Sequence, residues 1–196
     1  MNIIFLDVDG VLNNRYSYEE SEVDGKIKTI KVPGTYDKGI LSPNKYTGIE
    51  DRFVEILKEI ILAVPDTHVV LTSDWKNMFT DDFQIDKNNP NYKDGEYLVE
   101  RLASHGITIL ARTLDRSNGL DYSSRRGLGI KNYIKKHNVE NYVILDDIPF
   151  VDFNEGLEYH FIRTSSYDGL TEENKNTAID ILNGKLLDDE MIERYY

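Results

Sequence analysis

The chain opens on an unbroken apolar run, Asn2-Ile3-Ile4-Phe5-Leu6, that stops at Asp7-Val8-Asp9-Gly10. A run without polar alternation fits a central parallel strand covered on both faces, with a loop after it. Ile49, Phe53, Ile56, Leu57, Ile60, Ile61 and Val64 then recur at helical spacing until Pro65 stops the pattern, predicting a helix over residues 50–63. Residues 67–71 predict a second strand. Residues 74–91, rich in Asp, Asn and Lys, predict loop or irregular helix, followed by a short helix over 95–104 and a third strand over 107–110. Ser123 or Ser124 is placed to cap a helix that turns Leu128, Ile130, Ile134 and His137 inward. That helix leads into a fourth strand, Tyr142-Val143-Ile144-Leu145, which runs into Asp146-Asp147. A fifth short strand is predicted over 159–162. Thr171 caps a last helix with Glu172 and Glu173 in its first turn, Ala178, Ile181 and Leu182 inward, and Gly184 at its end.

Strands alternating with helices predict an α/β fold: a three-layer, Rossmann-like, mainly parallel sheet with helices on both faces. The 196 residues suit one domain. Residues 13–48 are polar and carry the Asp24-Gly25 hairpin signal, so they are expected to form a small insertion after the first strand. In such a sheet the ligand site lies beyond the carboxyl ends of the strands, at a switch point.

Composition narrows the function. No apolar run approaches the roughly 18 residues of a membrane span, and the N-terminus lacks the basic region of a signal peptide, so a cytoplasmic protein without membrane contact is expected. There is no cysteine, and the four histidines are scattered, which leaves no thiolate chemistry and no paired zinc ligands. The net charge of −12 argues against general nucleic-acid affinity. Residues 112–136 run the other way. Arg112, Arg116, Arg125, Arg126, Lys131, Lys135 and Lys136 stand there against Asp115 and Asp121, which is either a solvated helix face or a local anion site.

Three polar clusters fall at predicted strand ends: Asp7-Val8-Asp9, Thr72-Ser73-Asp74 and Asp146-Asp147. Carboxylates gathered on one edge repel unless protonated or held around a cation. An all-oxygen donor set suits Mg²⁺. Asp7 and Asp9, two apart in extended chain, would present carboxyl groups about 6–7 Å apart on one side. That gap admits a phosphoryl group, so one carboxylate can attack phosphorus while the other moves the proton.

Phe5-Leu6-Asp7-Val8-Asp9-Gly10-Val11-Leu12-Asn13 resembles the first motif of haloacid dehalogenase-like (HAD) phosphohydrolases. Val69-Val70-Leu71-Thr72-Ser73 resembles their second motif, and Val143-Ile144-Leu145-Asp146-Asp147 their acidic fourth. Ser73-Asp74-Trp75-Lys76, Arg126-Gly127-Leu128-Gly129-Ile130 and Gly169-Leu170-Thr171 are similar to a small HAD branch related to domains of RNA repair proteins. The resemblance implies a HAD-like fold and a Mg²⁺-dependent phosphatase working through an aspartyl-phosphate. By position, Asp7 is then the nucleophile and Asp9 the general acid/base, whose backbone carbonyl also binds the metal. Asp147 is a direct metal ligand, with Asp146 close by or bound through water. Thr72 or Ser73 binds the transferring phosphoryl group, Thr72 being the first polar residue after the apolar run. Arg126 fits the phosphate-stabilising cation, with Lys131 and Arg125 as rivals. The branch usually has Arg where Lys76 stands and often a small residue where Asp74 stands. Residues 13–48 take the place of the family's flap and small cap.

The expected partner is a phosphorylated substrate. The branch, the basic segment and a partly open site favour a nucleotide or nucleic-acid end; a small metabolite is the alternative. A non-catalytic phospho-accepting or metal-binding module is a further alternative, disfavoured because such modules place the acceptor Asp on a middle strand, which here ends in Thr72-Ser73. Trp75 and Tyr16 stand near these strand ends, either as packing or as stacking partners for a base or sugar.

Overall fold

A computed structural model of the chain describes residues 1–23, 26–33, 46–114, 116–117, 120–121, 125–154 and 156–196, with side chains described outside 17–45 and 115–124. The Asp24-Gly25 turn, the Ser123 and Ser124 caps and the side chains of Asp115, Arg116 and Asp121 lie outside that set. No helix among the described residues is long and apolar enough to cross a membrane.

Five parallel strands form the central sheet. In chain order they are β1 (Asn2–Leu6), β4 (Thr67–Leu71), β5 (Ile109–Arg112), β8 (Asn141–Asp146) and β9 (Phe161–Arg163), and in space they lie β5-β4-β1-β8-β9. The order reverses at β1, between β4 and β8, which is the switch point of a doubly wound sheet. Outside this sheet, β2 (Tyr16–Val23) pairs antiparallel with β3 (Lys26–Pro33), and β6 (Arg116–Ser117) with β7 (Leu120–Asp121).

The unbroken apolar strands are explained by two cores. Ile4 and Leu6 of β1 face one way, with Val69, Leu71, Val143 and Leu145, onto α1 (Asp51–Ala63), α2 (Tyr92–Ser104) and α4 (Glu172–Leu182). Ile3 and Phe5 face the other way, with Val70, Ile144 and Phe161, onto Ile130 and Tyr133 of α3 (Arg126–Lys136) and onto Phe153 and Leu157. The sheet is therefore the middle layer of three, as the sequence pattern predicts. Thr171 caps α4 in a reciprocal box with Asn174.

Two expectations shift in register. The third strand runs over Ile109–Arg112 because Ala111 and Arg112 pair with Val70 and Leu71 after a bulge. The fifth starts at Phe161, since Glu158–His160 form a 3₁₀ turn. The inward face of α3 needs correction. Gly127, Gly129, Ile130 and Tyr133 are buried with Arg126, whereas Leu128 and Ile134 are half-buried and His137 is exposed. Close backbone approach decides this: a Cβ on Gly127 would stand 2.8 Å from the Asp152 carbonyl. A short helix, α5 (Asp189–Tyr195), was not predicted; it sets Met191, Ile192 and Tyr195 against the first core.

Candidate active site

At the carboxyl edge the hydrogen-bond ladder runs one residue beyond the strands. The Asp7 N–H donates to Leu145 O, Thr72 N–H to Leu6 O, Thr113 N–H to Leu71 O and Thr164 N–H to Asp146 O, each at 2.9 Å. Sheet geometry thereby fixes Asp7 and Thr72, the first polar residues after their apolar runs, and with them Thr113 and Thr164, which follow Arg112 and Arg163. Asp7 and Asp146 are buried and Asp147 half-buried, and each presents an oxygen such that the three lie within 4.8 Å of one another. Gly10 makes room for this. It has a φ of +74°, and a Cβ there would stand 2.5 Å from Asp147 Oδ2.

Arg126, 4 % exposed at the start of α3, reaches into the cluster. Its Nη1 pairs with Asp146 Oδ2 and lies 3.1 Å from Asp7 Oδ1, its Nη2 lies 3.7 Å from Asp74 Oδ1, and its guanidinium sits 4.4 Å from the Phe150 ring centre. Arg125 is the exposed residue before α3, and Lys131 is half-buried further along the helix. Burial works against the charge on Arg126, but Asp146 and Asp7 outweigh it and hold the guanidinium protonated. Burial pushes the Asp146 carboxyl above the usual range against the pull of Arg126. Asp147 is raised to about 7, by burial first and by Asp7 second.

Asp9 stands apart from this group. Its Oδ1 accepts from Asn13 Nδ2 at 2.9 Å and its Oδ2 from the Trp75 indole N–H at 3.2 Å. Asn13 in turn accepts the Gly10 N–H at 2.9 Å. Trp75 is 1 % exposed, so stacking on a substrate base is ruled out for it. Tyr16 stacks instead on Tyr167, with ring centres 5.6 Å apart and planes 15° apart.

Thr72 is fully buried, and its Oγ1 has no hydrogen-bond partner among the described residues. Ser73 Oγ accepts the Trp75 N–H and so caps the 3₁₀ turn Asp74–Met78. Lys76 is buried beneath, its Nζ donating to Thr72 O and Thr113 Oγ1. Asp74 projects outward, its side chain 66 % exposed. Arg112 is engaged elsewhere, with Asp81 and the Thr80 and Lys76 carbonyls.

A family model described as the HAD domain in Swiss Army Knife RNA repair proteins matches residues 3–175. The chain belongs to that family. No curated protein and no solved structure matches it. Membership places this HAD domain among the HAD-type phosphohydrolases, whose substrates are phosphorylated and whose usual ion is Mg²⁺.

The residues present fit such an ion. With all three clustered carboxylates ionised, one guanidinium leaves a charge of −2, which a divalent cation would cancel, and every donor is a hard oxygen. Asp7, Asp146 and Asp147 would hold it in this HAD domain. Sequence reasoning assigned no role to Asn13, or to Trp75 as a donor. The signal for Asn13 was its place four residues after Asp9 in a glycine turn; Trp75 carried none beyond its nearness to Ser73.

Proposed function

We propose that the chain is a Mg²⁺-dependent phosphatase that hydrolyses a phosphate monoester through an aspartyl-phosphate on Asp7. The observation that carries this is Asp7 itself: a buried carboxylate at the switch point, beside two further acids and paired to Arg126. Bound magnesium supplies positive charge between an attacking carboxylate and an incoming phosphate dianion, which otherwise repel. An Asp7 oxygen attacks phosphorus, and the ester P–O bond breaks as Asp9 gives its proton to the leaving oxygen. Asp9 then takes a proton from water as that water attacks phosphorus, releasing inorganic phosphate and restoring Asp7. Arg126 neutralises charge on Asp7 and on the transferring group, and the Thr72 hydroxyl, without a partner among the described residues, donates to a phosphoryl oxygen. The preferred substrate is a nucleotide or a nucleic-acid end.

The test is phosphate release from p-nitrophenyl phosphate, mononucleotides and phosphorylated oligonucleotides, in Mg²⁺ and in EDTA. Magnesium-dependent release that Asp7→Asn abolishes, with the fold intact, supports the proposal. Normal turnover by Asp7→Asn, or no turnover of any compound by the folded wild type, overturns it.

A further inference from the structure

Beside the acid cluster lies a cleft of about 410 Å³ that phosphoryl transfer alone does not use. Asp147 forms one wall, and Arg163, Ser165, Ser166, Tyr167 and Arg194 form much of the rest. Its volume is within the range of about 300–1,000 Å³ common for small-ligand sites.

The chemistry of the lining is cationic in an acidic protein. Arg163 ends β9 as the register partner of Asp146, and its Nε donates to the Asp147 carbonyl at 3.2 Å. That bond seats Arg163 at the rim while its terminal nitrogens make no ion pair among the described residues, and the side chain is exposed. Arg194 arrives from α5. Its one described partner is Glu190, an exposed pair one turn away that holds it weakly. A third guanidinium borders the same wall. Arg15 lies 5.5 Å from the Tyr167 ring centre and 5.9 Å from that of Tyr46, to which its side chain also hydrogen-bonds, its backbone N–H donates to Ser166 O, and its buried Nε has no hydrogen-bond partner among the described residues. Arginine forks suit phosphate oxygens because two parallel N–H donors match two acceptors.

Because Asp147 bounds both the acid cluster and this cleft, a group in the cleft is near enough to belong to the same substrate molecule. We infer that the cleft is a second phosphate subsite: the enzyme prefers a phosphate monoester whose leaving group carries another phosphate, bound by Arg163 and Arg194. This rests on the phosphatase reading above.

The experiment compares kcat/KM for adenosine 3′,5′-bisphosphate with kcat/KM for the 3′- and 5′-monophosphates. The bisphosphate should exceed both by about tenfold through KM, and the double variant Arg163→Gln/Arg194→Gln should erase most of that preference. A bisphosphate no better than either monophosphate, or a preference that survives in the folded double variant, overturns the subsite. Arg52→Gln, on the exposed start of α1, controls for net charge; an equal loss there also overturns it. If the folded wild type hydrolyses none of these compounds, turnover of p-nitrophenyl phosphate and phosphorylated oligonucleotides decides the phosphatase reading, and calorimetric titration with the bisphosphate decides the cleft. Binding weakened about tenfold by the double variant then supports the subsite, and no binding or unchanged binding overturns it.

Discussion

Replacing Arg126 by Met keeps most of the side chain's length and removes its charge. In the native domain the guanidinium is buried, paired to Asp146, 3.1 Å from Asp7 and packed over Phe150. At an effective dielectric of about 20, unit charges near 3 Å attract by about 5 kcal/mol, a gain that desolvation of both partners largely offsets while the pair is intact. In the variant only one side of that balance is lost. Asp146 stays fully buried, with the Ile148 N–H, at 3.0 Å, as its remaining described donor. Breaking a buried pair in this way costs about 3–5 kcal/mol. Against a total stability of about 5–15 kcal/mol that is a large fraction, and at roughly 2–4 °C per kcal/mol for a domain of this size Tm falls by roughly 6–20 °C. The assay is thermal unfolding by circular dichroism at pH 7.5 in EDTA, so that no divalent ion compensates. Arg126→Lys, which returns the charge without the fork, should recover part of the loss. A Tm for Arg126→Met within about 2 °C of wild type would refute the reasoning, because Asp7 and Asp146 would then be stable without their guanidinium.

Trp75→Phe keeps an aromatic ring in the core but removes the N–H held by Asp9 Oδ2, so kcat should fall by about tenfold or more with KM little changed; unaltered kcat in steady-state assays would release Asp9 from that donor. Gly10→Ala forces a left-handed residue and drives a Cβ against Asp147, costing at least about 1–2 kcal/mol in urea unfolding and removing activity; a stable, active variant would contradict the packing at this turn. The pH prediction concerns His105, whose Nε2 meets Asp51 Oδ1 at 2.7 Å and whose Nδ1 meets Glu55 Oε1 at 2.6 Å. Hydrogen bonding to Asp51, then to Glu55, raises its pKa above 6.5, because only the charged ring donates to both. A raised folded pKa means stabilisation present below 6.5 and lost as pH rises through the folded value. The wild-type advantage over His105→Asn in urea midpoint should therefore shrink from pH 6 to pH 8.5; an advantage constant across that range would contradict it.

Much of this fold is legible in the chain because its central strands contain unbroken apolar stretches, Ile3–Leu6, Val69–Leu71 and Val143–Leu145, and its best helices carry clear stops. Asn2–Leu6, Thr67–Leu71 and the α1 span between Glu50 and Pro65 lie where hydrophobic spacing puts them. Where contact and not periodicity decides, the pattern fails. The first turn of α2, Tyr92-Lys93-Asp94, shows no apolar repeat, and Lys87 lies over the Tyr92 ring at 4.5 Å. The α3 face is set by Gly127, which admits Asp152 and which no hydropathy count registers. The acids of the site were visible as residues that interrupt apolar runs. Their supports were not, because the bonds from Asn13 and Trp75 to Asp9 depend on how two loops meet, one after β1 and one after β4.

The position of those acids follows from strand direction more than from the loops. All five strands are parallel, so each apolar run ends at the same edge, and the ladder continues one residue further at Asp7, Thr72, Thr113 and Thr164. A residue held by its own N–H in a sheet cannot retreat from its neighbours. Asp7 and Asp146 are therefore unable to relieve their repulsion by moving apart, and Asp147 is confined against Gly10. Only added positive charge or a proton can compensate, and Arg126 supplies one charge where three carboxylates call for more. On the phosphatase reading proposed above, a site so constrained would be preorganised for a cation and a phosphate before either arrives, since its reorganisation is completed in folding. The same ladder places Arg163 beside Asp146, which is why the cationic cleft opens next to the acids and not elsewhere on the sheet.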